Sequence, residues 1–241
     1  ILIGFGILGG GASAVTFGVA LFAIGAGLAV GLGAVSAIGQ GIAASAGIES
    51  VAKDDKAFGK SILFSVLPET QALYGFLIAI LLLVGAGVLG AARSGITTAM
   101  GVVAIGAGLA AGVAGISAIG QGIAASSGIR AVTAKPKSFG KAILFSVLPE
   151  TQALYGFLIA ILLLVGGGIL GAAKVGLSVN VGLIAVGAGL ATGLAAVSAL
   201  GQGFAASSGI EAVSRDEKSF GKSILFSVLP ETQALYGFLI A

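Results

Sequence analysis

The chain contains no cysteine and no histidine, and methionine occurs once in 241 residues. Disulfides, thiol nucleophiles, histidine-based triads and most transition-metal sites are thereby excluded. Charge is nearly as scarce: 9% of residues are charged against 57% hydrophobic, and the runs 10–48 and 94–129 carry no charge. A water-soluble domain of this length exposes far more charge, so lipid is the solvent and the composition is that of a membrane protein. The net charge of +3, from 12 basic and 9 acidic residues, bears on membrane topology rather than on nucleic acid, which is not an expected partner.

What is present is repetition. The stretch ILFSVLPETQALYGFLIA occurs unchanged at 62–79, 143–160 and 224–241, within a period of 81 residues. Each period pairs a glycine-rich apolar segment (about 14–47, 96–128, 177–209) with a polar loop and a second apolar segment (about 57–92, 138–173, 219–241). At ~1.5 Å per residue either segment exceeds a hydrocarbon core of ~30 Å. The predicted fold is therefore all-α and membrane-spanning: three tandem helical hairpins, six helices, with boundaries at 12–92, 93–173 and 174–241. The loops and their approaches hold ten of the twelve basic residues, and only Arg93 and Lys174 lie on the other side. That bias predicts cytoplasmic hairpin loops on a multi-pass protein of the cell membrane.

The first helices are lined with glycine and the second with Phe, Leu and Tyr, which predicts a thin inner set surrounded by a bulkier outer set. Gly27, Gly108 and Gly189 begin small-xxx-small spacings and are expected to face neighbouring first helices at close approach. A glycine pattern of the GxGxxG form, at Gly85, Gly87 and Gly90 and again at Gly166, Gly168 and Gly171, lacks the strand and the acid that a dinucleotide site requires, so no nucleotide is expected on this chain.

Each repeat carries one acid inside an apolar run: Glu69, Glu150 and Glu231. At the centre of a membrane a charge costs at least ~2.5–3.5 kcal/mol and by default marks a functional site. Gln40 and Glu69 are equidistant from the middle of their loop, as are Gln121 and Glu150, and Gln202 and Glu231, so each pair should meet at one depth, near mid-membrane. Thr70, Gln71 and Tyr74 lie beside the acid. Pro68 has no N–H and is expected to leave the Phe64 carbonyl without its helical partner. One carboxylate among neutral oxygens suits a small monovalent cation, and a protonated acid is the alternative. One acid per site and no exposed nucleophile argue against catalysis.

The motifs GQG (Gly39-Gln40-Gly41) and LPETQALYGF (Leu67 to Phe76), with the hairpin topology, resemble the rotor-ring proteolipid, or K (c) subunit, of A-type and V-type ATP synthases and ATPases. The resemblance covers essentially the whole chain. It implies a non-catalytic rotor subunit, further copies of the chain side by side in a ring in membrane lipid, a stator subunit (a or I type) whose essential arginine meets each glutamate, and a central-stalk subunit at the cytoplasmic loops. It also implies a cargo of Na+, or alternatively H+, with one site per repeat. Carried over, the ion-binding residues are Gln40, Leu67, Glu69, Thr70, Gln71 and Tyr74; Gln121, Leu148, Glu150, Thr151, Gln152 and Tyr155; and Gln202, Leu229, Glu231, Thr232, Gln233 and Tyr236. An acid in every hairpin favours a synthase over a V-type proton pump, and a passive cation channel or transporter is the reading outside the family.

The phase of the repeat carries one more expectation. Residues 1–9 align with Leu82–Gly90, so 1–11 should be the end of a second, outer helix, and the third hairpin is short in its own second helix. Ala241 of one copy is then expected coaxially against Ile1 of the next.

Overall fold

The computed structural model describes residues 15–91, 93–171 and 176–241. The stub expected at 1–11, the meeting of Ile1 with Ala241, and Lys174 lie outside the described residues. Six long apolar helices follow one another: α1 (Phe17–Lys53), α2 (Asp55–Gly85), α3 (Thr98–Ala134), α4 (Pro136–Gly166), α5 (Val179–Arg215) and α6 (Glu217–Ile240). Each is long and apolar enough to cross a membrane, and a helix is the spanning form that satisfies every backbone group within itself. The first helices start on hydroxyl caps: Thr16, Thr97 and Ser178 each accept the amide three residues on, at 3.2–3.3 Å. In the first loop the Asp54 backbone is extended and its carboxylate accepts the Lys56 amide at 3.0 Å, which starts α2 directly.

The inner helices α1, α3 and α5 stand in a row, backbone against backbone. A Cβ at Gly108 would overlap the Gly25 carbonyl, and one at Gly189 that of Gly106, while Gly122 and Gly203 stand in the same relation to Gly39 and Gly120. Gly108 and Gly189 are thus where the small-residue spacing put them. At Gly27 nothing lies within 4 Å of the missing Cβ, nor at Gly31 and Gly41, so among the described residues this face of the row is open. Gly187 is open at the other end, although its equivalents Gly25 and Gly106 press on Ala104 and Ala185.

The outer helices sit over the seams rather than over single inner helices. Gly75 of α2 packs on the Ala29 carbonyl of its own α1, while the fully buried Phe64 ring covers Gly128 of α3. Phe145 of α4 likewise covers Gly209 of α5. This stagger decides the composition of the site. Across the loops Lys141 and Glu217 pair at 2.9 Å, but Glu217 is exposed and Lys141 only half-buried, and such surface pairs contribute little.

Proline acts differently from the sequence-based expectation. The Phe64 carbonyl is not left open: the Leu67 amide turns to it, and a single 3-10 turn, Leu67–Glu69, replaces the α-helical step. Losing one donor at Pro68 is compensated by tightening the ladder, which is cheaper in lipid than a bare carbonyl.

The discarded glycine pattern has a structural use. Gly87 and Gly168 both take φ of 68° at the ends of α2 and α4, and the Val88 and Leu89 amides turn back to the Leu83 carbonyl at 3.0–3.1 Å. Beside them the Arg93 guanidinium donates to the carbonyls of Gly85 (3.1 Å), Ile169 (2.7 Å) and Gly168 (2.7 Å), tying the ends of the two outer helices together.

Candidate ion-binding site

The mirror spacing about each loop holds in three dimensions. Gln40 Nε2 donates to Glu69 Oε2 at 3.1 Å, Gln121 to Glu150 at 3.0 Å and Gln202 to Glu231 at 3.3 Å. The rest of each repeat's set does not join its own acid. Because α2 sits over the seam between α1 and α3, its polar face turns to the second hairpin: Gln71 Nε2 donates to Gln121 Oε1 at 2.7 Å, and the Tyr74 hydroxyl to Glu150 Oε1 at 2.6 Å. The next seam repeats this, with Gln152 donating to Gln202 at 2.6 Å and Tyr155 to Glu231 at 2.6 Å.

Two assembled clusters result. The first unites Leu67, Thr70, Gln71 and Tyr74 with Gln121 and Glu150, and the second unites Leu148, Thr151, Gln152 and Tyr155 with Gln202 and Glu231. Two halves remain. Among the described residues no donor from a second hairpin reaches Gln40 and Glu69, and Glu69 is exposed where Glu150 is half-buried. At the other end Leu229, Thr232, Gln233 and Tyr236 are exposed, Tyr236 by 64%. Grouping by repeat gives way to grouping by seam.

The oxygen chemistry is unusual. The Thr70 hydroxyl lies 2.9 Å from the Leu67 carbonyl and 3.1 Å from Gln71 Oε1. Both are acceptors, and one hydroxyl proton can serve only one of them. Thr151 repeats the arrangement at 3.0 and 3.1 Å. Neutral oxygens converge with fewer protons than their contacts require, next to a carboxylate whose two oxygens both accept. Gln71, Gln121, Gln152 and Gln202 are all fully buried. Among the described residues no group of three or more His, Cys, Asp or Glu forms a metal site, so the cluster is one acid plus neutral oxygens.

One contact was not legible in the motif. Tyr74 stacks on Phe157 of the next hairpin, ring centroids 5.3 Å apart, and Tyr155 on Phe238 in the same way. Phe157 and Phe238 lie near the end of the copied stretch, yet nothing in one helix's periodicity says that its aromatics steady a neighbour's tyrosine.

The pattern of the ATP synthase C-subunit family matches residues 24–82, 105–163 and 186–241, one match per hairpin. The chain belongs to that family. Among relatives of this family member, the A-type ATP synthase subunit K of Methanocaldococcus jannaschii is 50% identical over 224 residues, 92% of this chain and 94% of that protein. The V-type sodium ATPase subunit K of Enterococcus hirae is 38% identical over 112 residues, 45% of this chain and 67% of that protein. The resemblance to the A-type and V-type proteolipid is thus borne out, and the three matches coincide with the three hairpins of a multi-pass membrane protein.

Proposed function

We propose that this proteolipid is the ion carrier of a rotary ATP synthase, binding one Na+ per seam on Glu69, Glu150 and Glu231 near the middle of the membrane. The observation that carries the reading is the crowding of the Leu67 carbonyl, Thr70 Oγ1 and Gln71 Oε1 around a single proton, the hydroxyl lying within 3.1 Å of both acceptors. Such a set is satisfied by a cation, and with one carboxylate the match is monovalent. A proton cargo fits less well. A protonated Glu150 needs a single acceptor, which the Tyr74 hydroxyl at 2.6 Å supplies, and it leaves the converging Leu67 carbonyl, Thr70 Oγ1 and Gln71 Oε1 without a role. The sodium named for the Enterococcus hirae relative agrees with this cargo.

Copies assemble head to tail. The half-site of Gln40 and Glu69 is completed by Leu229, Thr232, Gln233 and Tyr236 of a second copy, and the open glycines Gly27, Gly31 and Gly41 receive the open side of that copy's α5. Repetition of one head-to-tail contact closes a ring when the rotation permits. Each glutamate then releases and reloads its ion where a stator arginine faces it, the basic loops meet a central stalk in the cytoplasm, and the ring turns in the cell membrane. The proteolipid itself performs no bond chemistry; it supplies carriers.

The test is carbodiimide labelling of Glu150 in purified rings with increasing sodium. Protection by sodium supports the cargo, and it should weaken as pH falls, because protons compete for the same carboxylate. Labelling indifferent to sodium at every pH refutes it.

A further inference from the structure

Each inner helix is interrupted at the same place. At Ala34–Val35, Gly115–Ile116 and Ala196–Val197 the ladder tightens by one residue: Ile116 donates to Val113 and Ala118 to Gly115, both at 3.1 Å, and Val197 to Leu194 at 3.1 Å and Ala199 to Ala196 at 3.0 Å. The Ala118 amide is drawn to the Gly115 carbonyl and the Ala199 amide to that of Ala196, and the Ala114 and Ala195 carbonyls, with two lone pairs each, have room for a further donor. A serine follows every break: Ser36, Ser117 and Ser198. Ser117 is fully buried, and the hydroxyls of Ser117 and Ser198 have no hydrogen-bond partner. Other serines here return the hydroxyl to their own helix, as Ser126 does to Ile123 at 2.8 Å and Ser146 to Ala142 at 2.9 Å. These two do not. One turn further on, on the same helix face, stand Gln121 and Gln202.

We propose that Ser117 and Ser198, with the Ala114 and Ala195 carbonyls, bind one ordered water adjoining each ion cluster, and that Ser36 does the same in the site two copies make. The water accepts the Ser117 hydroxyl proton and the second amide proton of Gln121, whose first goes to Glu150 Oε2, and it gives a proton to the Ala114 carbonyl. The inference rests on the cation reading for its consequence: the water holds the Gln121 amide in place on the side of the cluster away from the loops.

The experiment is a structure of the purified ring in sodium, at a resolution that shows ordered water, together with sodium protection of Glu150 in a Ser36→Ala, Ser117→Ala, Ser198→Ala ring. Density within hydrogen-bond distance of both Ser117 Oγ and the Ala114 carbonyl is expected in the native ring and absent in the alanine ring. The sodium needed for half-protection should rise about fivefold, the scale of one neutral hydrogen bond. A native ring in which the Ser117 hydroxyl turns to the Val113 carbonyl with no water overturns the proposal, as does a water whose loss leaves sodium protection unchanged. The native density decides even if the triple variant fails to assemble, and single Ser117→Ala then supplies the affinity. A native ring that sodium does not protect sinks the cation reading instead, and the subsite then stands or falls on the density.

Discussion

Glu150 accepts from two helices of different hairpins, the Tyr74 hydroxyl of α2 and the Gln121 amide of α3. Removing either donor should act on this acid alone. Gln121→Leu deletes the bond to Glu150 and strands the buried Gln71 amide that Gln121 accepts. An unsatisfied buried amide costs about 1–3 kcal/mol, so sodium affinity at Glu150 should fall by roughly 5- to 150-fold while rings still form. Carbodiimide labelling of Glu150, followed as a function of sodium, measures it. Tyr74→Phe should likewise weaken protection of Glu150 and leave Glu69 as it was, although Glu69 is nearer in sequence. The reverse pattern would return the tyrosine to its own repeat.

At the scale of the element, the glycine rows and the Arg93 clasp do separate work. Leucine at Gly108 would have to occupy the place of the Gly25 carbonyl. No rotamer relieves that, so α1 and α3 must part and rings should not assemble, read as loss of the ring band on a mild detergent gel. Arg93→Met removes three bonds to carbonyls at the ends of α2 and α4 while keeping a long apolar stem. Bonds from charged donors contribute about 1.5–3 kcal/mol each where buried, and Arg93 is half-buried. The ring should therefore dissociate at a lower temperature but bind sodium normally. The helices themselves were legible in the sequence, because long uncharged runs leave lipid no other backbone solution. The clasp was not: Arg93 read only as one of the few basic residues opposite the loops, and its partners Gly168 and Ile169 lie a whole repeat away.

At the scale of the whole molecule, the described residues hold two complete clusters flanked by two half-clusters. If copies join head to tail, Tyr236 serves Glu69 of the next copy rather than Glu231 of its own. In rings built from Tyr236→Phe chains, sodium protection should weaken at Glu69 and stay normal at Glu150 and Glu231. Weakening at Glu231 would disprove the head-to-tail arrangement. Rings mixed from native and variant chains should show Glu69 protected in proportion to the native share, because each junction depends on one donor chain.

Composition and period sufficed to establish a membrane protein of three helical hairpins, since both follow from how the backbone behaves in lipid and from self-similarity at 81 residues. Mirror spacing about each loop also sufficed to pair Gln40 with Glu69, Gln121 with Glu150 and Gln202 with Glu231, because two antiparallel helices joined by a short turn leave only one register. Which neighbour completes each pair lay beyond it. Three unchanged copies of LPETQALYGF offer identical ligands in every repeat, so no property of the string distinguishes Tyr74 beside Glu69 from Tyr74 beside Glu150. That choice was made by packing: the bulky outer helix fits the groove over a seam between two glycine-lined helices, and its polar face is thereby turned to the next hairpin's acid.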